Sequence, residues 1–445
     1  MKRKILVVIS PVEALSDQKK TLPSVISDTA IVNHLLRQIK KTRPFLTGVI
    51  AGQGLRSAIN SRGLQIKFLE KKKNVSLKDI VKQMVASRFE GDLILLSLEF
   101  FLTNPLILVR ALRLHQRCNN NLTLMAEKIK SDSGQESEDY FVYPGLAVVR
   151  IGPDSGWLNR ARPFKKSGQL DVVSLVEAAW SDEERIGFNW IKDEDKGHFI
   201  TVNSISDFSR VAHFLRKQKI SELEAQGVFF LSPDEVWVDP EVSIGRGTVI
   251  YPSVMIEGRT RIGQDCLIYP HCHLRDSRLG DRVKVYGSTV IEGCRIEDEA
   301  QVGPFSRLRP GTWLRRGSRV GNFVEMKKTV FGEESKAMHL SYLGDARVED
   351  KVNVGAGTIT CNYDGEKKNK TVIGKEAFIG SGTELVAPVK VGQGAYIAAG
   401  STITKDVSDG ALAIARARQV EKPGWVKRRK QEIAARKKKN LEQGK

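Results

Sequence analysis

His339 is the first residue in this 445-residue chain that asks for a chemical explanation. It opens the segment HLSYLGD (339–345), three residues before Tyr342. An imidazole titrates at about 6.5, so it can accept a proton from a nucleophile near neutral pH. Cations recur in the segments around it: Arg309 in RLRPG (307–311), Lys327 in GNFVEMKK (321–328) and Lys368 in TCNYDGEKKNK (360–370). A phosphate dianion taken out of water needs donors of this kind, although each could equally be a solvated surface charge. His271 and His273 bracket Cys272; they read as outward residues around a core cysteine, not as metal ligands.

The elements that must hold these residues are written in a period of six. Val238, Ile244, Ile250, Ile256, Ile262, Ile268 and Leu274 follow one another at six-residue steps. Four places after the first six stand Val242, Thr248, Val254, Thr260, Cys266 and Cys272, all small or β-branched. Val302, Leu308, Leu314, Val320 and Met326 keep the step, as do Ile373, Ile379, Leu385, Val391, Ile397 and Ile403. Neither a helix nor a simple alternating strand has this period. A parallel β-helix does: each hexad is one short face, three faces close a coil, and the aliphatic residues stack into a column. The register breaks between Met326 and Val348 and between Val354 and Ile373. Those breaks predict loops that leave the coil, carrying KAMHLSYLGD (336–345) and TCNYDGEKKNK, and irregular segments on a rigid scaffold are where sites collect.

RLRPG, GNFVEMKK, HLSYLGD, NVGAGTITCNYDG (353–365) and KTVIGKEAFIGS (370–381) together closely resemble the acetyltransferase domain of the GlmU family, N-acetylglucosamine-1-phosphate uridyltransferase/glucosamine-1-phosphate acetyltransferase. The resemblance is close over about 302–425 and visible from 230. It implies a left-handed parallel β-helix that works as a homotrimer, against the usual right-handed crossover preference. It implies transfer of acetyl from acetyl-CoA to the amine of glucosamine 1-phosphate, a cytoplasmic step of UDP-N-acetylglucosamine biosynthesis. His339 is then the general base, with Glu325 orienting it. Arg309, Lys327, Tyr342, Asn353 and Lys368 contact the sugar phosphate. Ala356, Asn362, Tyr363, Ser381, Ala399 and Arg416 contact acetyl-CoA, and the Ala356 N–H faces the oxyanion. No metal is expected for this reaction.

The first half reads as an α/β Rossmann-like, nucleotidyltransferase-type domain. ILVVIS (5–10), FLTGVIA (45–51), LILLSL (93–98) and LTLMAEK (122–128) are buried strands, and AIVNHLLRQIKK (30–41) and LILVRALRLHQR (106–117) are helices between them. Segment 204–227 reads as a linker helix started by Ser206 or Asp207 and ended by Gly227. The boundaries expected are 1–227, 228–410 for the β-helix and 411–445 for a basic tail. The family's uridylyl-transferring domain opens with a glycine-rich phosphate loop. Here 7–25 is VVISPVEALSDQKKTLPSV, and no glycine precedes Gly48. Ser24 stands where the family has a lysine, and Leu98, beside Glu99, where it has a metal-binding Asp. Asn203 alone matches a second metal ligand, and FVYPGLAV (141–148) keeps a sugar-contacting strand's glycine. Without cradle, cation and metal ligand, uridylyl transfer is expected to be lost. The alternatives are an enzyme with both activities, or a first half that binds sugar nucleotide as a regulator.

Composition fits this outline. With 41% apolar and 28% charged residues the chain is ordinary and soluble in type, and its longest apolar run, LILLSLEFFL (93–102), is too short to span a bilayer. The basic then apolar start, MKRKILVVIS, is too short for a signal peptide and reads as a first strand. Five cysteines (Cys118, Cys266, Cys272, Cys294, Cys361) without zinc-type spacing favour a reducing compartment. The formal charge of +19 is partly local, since Lys422 to Lys445 holds ten Lys or Arg against two Glu. No nucleic-acid motif accompanies that run, so it reads as a solvated extension, and no nucleic-acid partner is expected.

Overall fold

A computed structural model describes residues 4–10, 28–40, 44, 46–50, 64–69, 76–84, 89–97, 100–130, 136–153, 155–163, 165, 170–192, 197–202 and 205–443. Contacts divide the chain into two compact units, Met1–Arg261 and Ile262–Lys445.

The first unit is built on a seven-stranded mixed sheet. Its strands are β1 (Lys4–Ser10), β2 (Leu46–Ile50), β3 (Ile66–Leu69), β4 (Gly91–Ser97), β6 (Leu122–Lys130), β7 (Glu136–Ile151) and β8 (Ile186–Trp190), in the order β3-β2-β1-β4-β7-β6-β8. Only β7 runs antiparallel to its neighbours; the other pairings are parallel. A short antiparallel pair, β5 (Phe100–Leu102) with β9 (Phe199–Thr201), forms a separate two-stranded sheet. Among the described residues, helices α1 (Asp28–Lys40), α2 (Leu77–Met84), α3 (Leu106–Arg117), α4 (Val172–Trp180) and α5 (Ile205–Ala225) accompany these strands. Alternation along β1 explains its layering. Val7 and Ile9 enter a core with Leu35, Leu108 and Val211 from α1, α3 and α5. Leu6 and Val8 enter another with Leu77, Ile80 and Leu175 from α2 and α4. This is the expected α/β sheet covered on both sides. The linker helix begins at Ile205, so Ser206 and Asp207 lie inside its first turn and do not start it. Its end is as read: Gly227 takes φ +90°, and the N–H groups of Gly227 and Val228 close on Glu224 and Leu223. The phosphate-loop positions 11–25, Leu98, Glu99 and Asn203 lie outside the described residues.

The hexads from Phe229–Phe230 to Leu412–Ala413 form three parallel sheets of 11, 10 and 9 short strands, the three faces of a parallel β-helix. All 18 aliphatic hexad residues are buried, none more than 5% exposed. Val242, Thr248, Val254, Thr260, Cys266 and Cys272 are buried with them. Burial pushes the Cys272 thiol up to about 11 and that of Cys294 to about 12, so these cysteines act as small core residues.

The first register break is not a loop. Met326, Phe331, Ala337, Leu343 and Val348 are all buried, at steps of five, six, six and five residues. Lys336–His339 and Tyr342–Gly344 are strands of the coil. Two shortened sides, not an excursion, account for the break. Leu274, Leu279, Val285, Ile291, Ile296 and Val302 repeat the device earlier in the chain. The second break is a true excursion: after Ile359–Cys361 the chain leaves the coil and returns at Thr371–Ile373. Within the basic tail, Trp425–Gln443 form helix α6, whose described side chains are exposed.

Candidate active site

Two groups of residues rise from the second unit, and the coil dictates both. The first is cationic. Register Leu308↔Met326 puts Arg309 one coil before Lys327, and Lys327 pairs with Gly344 one coil further on. Arg309 Nη1 donates to Glu325 Oε1 at 2.9 Å. Lys368 reaches the same place from the excursion. Its ammonium lies against that of Lys327 and, with help from Arg309, holds Lys327 below the usual lysine range; Asp345 acts in the opposite sense. Cations gathered at a cost to Lys327 form a site prepared for an anion.

Gly344 makes room for the rest. A Cβ there would stand 2.5 Å from Tyr342 Oη and 2.7 Å from Asn362 Nδ2, so the bare strand position leaves the room that the phenol and the amide occupy. Asn362 Nδ2 donates to Asp345 Oδ2 at 2.6 Å. The excursion is tied by Asp364, whose carboxylate accepts from the N–H groups of Glu366 and Lys367 at 3.0 and 2.8 Å and from Asn369 Nδ2 at 2.8 Å. Those donors hold Asp364 down at about 2. Tyr363 and Lys368 bridge across the loop, and the Tyr363 hydroxyl donates to the Gly365 carbonyl.

The second group is a ladder along one corner of the coil. His339 ends its strand and is exposed. Its pairing with Asn322, and the register Lys336↔Asn353 and Ala337↔Val354, put Ala356 one coil on from it. Gly382 N–H donates to the Ala356 carbonyl at 2.7 Å, Gly400 N–H to that of Ser381 at 2.8 Å, and Arg416 Nη1 to that of Ala399 at 2.7 Å. Ala356, Ser381, Ala399 and Arg416 therefore climb one corner, with the left-handed Gly357, Gly382 and Gly400 beside the first three. The Ala356 N–H has no acceptor among the described residues. A base, a free amide donor and a corner lined by small residues can serve acyl transfer.

Not every expected residue joins these groups. Glu325 is engaged by Arg309, and no hydrogen bond joins it to His339 among the described residues. The reason is register: Glu325 pairs with Tyr342 on the second face, while His339 pairs with Asn322 on the first. Asn353 also stands on the first face, between Lys336 and Phe378. His271 takes a left-handed turn and Cys272 is core. No group of three or more His, Cys, Asp or Glu able to hold a metal occurs among the described residues, and no helix there is long and apolar enough to cross a membrane. Sequence reasoning missed Gly344, Asp345 and Asp364 as parts of the site. The signal for the first two is spacing, since Gly344 lies 17 residues after Lys327 and Asp345 17 before Asn362.

Comparison with known proteins gives a consistent picture. Residues 370–405 match the bacterial transferase hexapeptide (six repeats) family. A protein of Thermotoga petrophila called bifunctional protein GlmU is 50% identical over 66% of this chain and 63% of its own length. Proteins of the same name are 43% identical in Thermodesulfovibrio yellowstonii, over 60% of this chain and 58% of that one, and 51% identical in Fervidobacterium nodosum, over 53% and 52%. The chain thus spans between half and two thirds of the length of these relatives.

Proposed function

Starting from a chain that is homologous to the GlmU proteins over about two thirds of its length, we propose that it is an acetyl-CoA-dependent glucosamine-1-phosphate N-acetyltransferase. One arrangement carries the reading: Arg309, Lys327 and Lys368 converge beside Gly344, with the Tyr342 hydroxyl and the Asn362 amide both against the bare position. The cations take the phosphate, and Tyr342 and Asn353 position the sugar. His339 accepts the proton of the 2-amino group as nitrogen attacks the thioester carbonyl. The C–N bond forms, the Ala356 N–H supports the oxyanion, and the C–S bond breaks as the proton held by His339 passes to sulfur, releasing coenzyme A as its thiol. Asn362, Tyr363, Ser381, Ala399 and Arg416 hold the cofactor along the corner ladder. No metal enters this reaction.

We place the complete site between subunits of a closed homotrimer, because Asn353 and the cationic group stand on different faces of one coil. Glu325 serves the site by holding Arg309, in place of the orienting role toward His339. In the first unit, uridylyl transfer is lost, since 7–25 lacks a glycine cradle and carries Glu13 and Asp17. The relatives' designation as bifunctional favours the opposite reading for that unit. Thiol release from acetyl-CoA, measured with and without glucosamine 1-phosphate, tests the first claim; thiol release independent of the sugar sinks it. Pyrophosphate release dependent on both UTP and N-acetylglucosamine 1-phosphate overturns the second.

A further inference from the structure

We infer that Asp345 is a positioning residue that ties the strand carrying Lys327 to the cofactor side of the site, by its backbone N–H on one side and its carboxylate on the other. The inference rests on the acetyltransferase reading above. Asp345 follows Gly344 at a left-handed turn, φ +50°, and its N–H donates to the Lys327 carbonyl at 2.9 Å. The backbone is thereby pinned to the coil that carries Lys327. The side chain turns to the next coil, where it accepts from Asn362 Nδ2 at 2.6 Å, short and charge-assisted. Thr371 N–H, where the excursion rejoins the coil, donates to the Asp345 carbonyl at 3.4 Å. One residue therefore touches the strand before the site, the first residue of the excursion and its last turn.

Its charge has a second use. Lys327 is faced by Lys368 from the excursion, by Arg309 from the coil before and by Asp345 from the coil after. Asp345 is the one carboxylate of that set, and its charge opposes the repulsion that Lys368 and Arg309 exert on Lys327. The carboxylate thus has two separable tasks: an acceptor for the Asn362 amide, and a negative charge beside Lys327. Asn retains the first and loses the second; Ala loses both.

The experiment follows kcat/KM for glucosamine 1-phosphate against pH, and KM for acetyl-CoA, in the full chain and in Asp345→Asn and Asp345→Ala. Wild type is measured first: absence of acetyl transfer there defeats the functional reading, and the inference with it. With wild type active, Asp345→Asn should move the alkaline fall of kcat/KM to lower pH, because Lys327 loses its proton more readily, and keep KM for acetyl-CoA within about twofold. Asp345→Ala should show the same pH displacement and raise KM for acetyl-CoA about tenfold. An unmoved alkaline limb in both variants, or an acetyl-CoA KM unchanged in Asp345→Ala, overturns the inference. General damage to the fold would lower kcat without moving the limb.

Discussion

Replacing Gly344 by alanine is the sharpest perturbation the site offers. The backbone tolerates the change, for Gly344 lies in a strand and is not among the left-handed glycines. The side chain is less easily placed. The new methyl would stand 2.5 Å from Tyr342 Oη and 2.7 Å from Asn362 Nδ2, where ordinary contact begins near 3.4 Å. The two groups must therefore retreat by about 0.9 and 0.7 Å, and a displacement near 1 Å costs about 10²-fold in rate. Both obstacles are ends of flexible side chains, so the fold should survive with a loss under about 2 kcal/mol. Thiol release from acetyl-CoA in the presence of glucosamine 1-phosphate reads the rate, and a thermal melt reads the fold. A variant that melts like wild type and keeps more than half its kcat/KM would refute the placing of Tyr342 and Asn362. A variant that does not fold would refute the claim that those side chains can give way.

Other outcomes follow from the same geometry. His339→Ala should lower acetyl transfer by about 10²–10⁴ with the oligomer intact by sedimentation; near wild-type turnover removes His339 as the base. Asp364→Ala should raise KM for both substrates, since it frees the loop that carries Tyr363 and Lys368, and a KM unchanged for both rejects that tie. Asp364 is held at about 2 in the folded chain, below the ordinary carboxylate range, so its tie is complete above about pH 4 and is lost as pH falls toward 2; protease sensitivity of 362–370 measured down that range checks the sign. Ile379→Ala, fully buried between Val354 and Ile397 of neighbouring coils, should cost about 2–5 kcal/mol in denaturant unfolding.

The hexads made the β-helix legible because each face needs one inward aliphatic residue, and a strict spacing of six has no competing explanation. The five-residue sides were not legible. When Leu343 is followed by Val348, the sequence shows a lost register, and only stacking reveals that one corner has closed a residue early. That is why 336–345 read as a loop although His339 ends a strand. The cations were visible as residue types, but their meeting was not, since Arg309, Lys327 and Lys368 come together only through coil pairing and the Asp364-tied excursion. Glu325 misled for the same reason: its neighbours are 16 and 17 residues away, at Arg309 and Tyr342. The tail's Lys and Arg content suited a helix, yet no apolar period announced one.

The near-constant pairing distance of the coils bears on how this half of the chain acquires its structure. Gln301 pairs with Arg319 and Lys336 with Asn353, partners 18 and 17 residues apart. Every contact of the column is therefore modest in sequence separation, unlike those of most parallel sheets, which favours rapid propagation from whichever coil forms first. The excursion that brings in Lys368 widens the pairings that span it, one on each face, to 25 residues, as from Asn353 to Phe378. Chain statistics put the extra closure cost at about 0.3 kcal/mol. A binding loop has thus been inserted into a zipper with almost no penalty to its zipping, and any coil of such a column could have received one on the same terms.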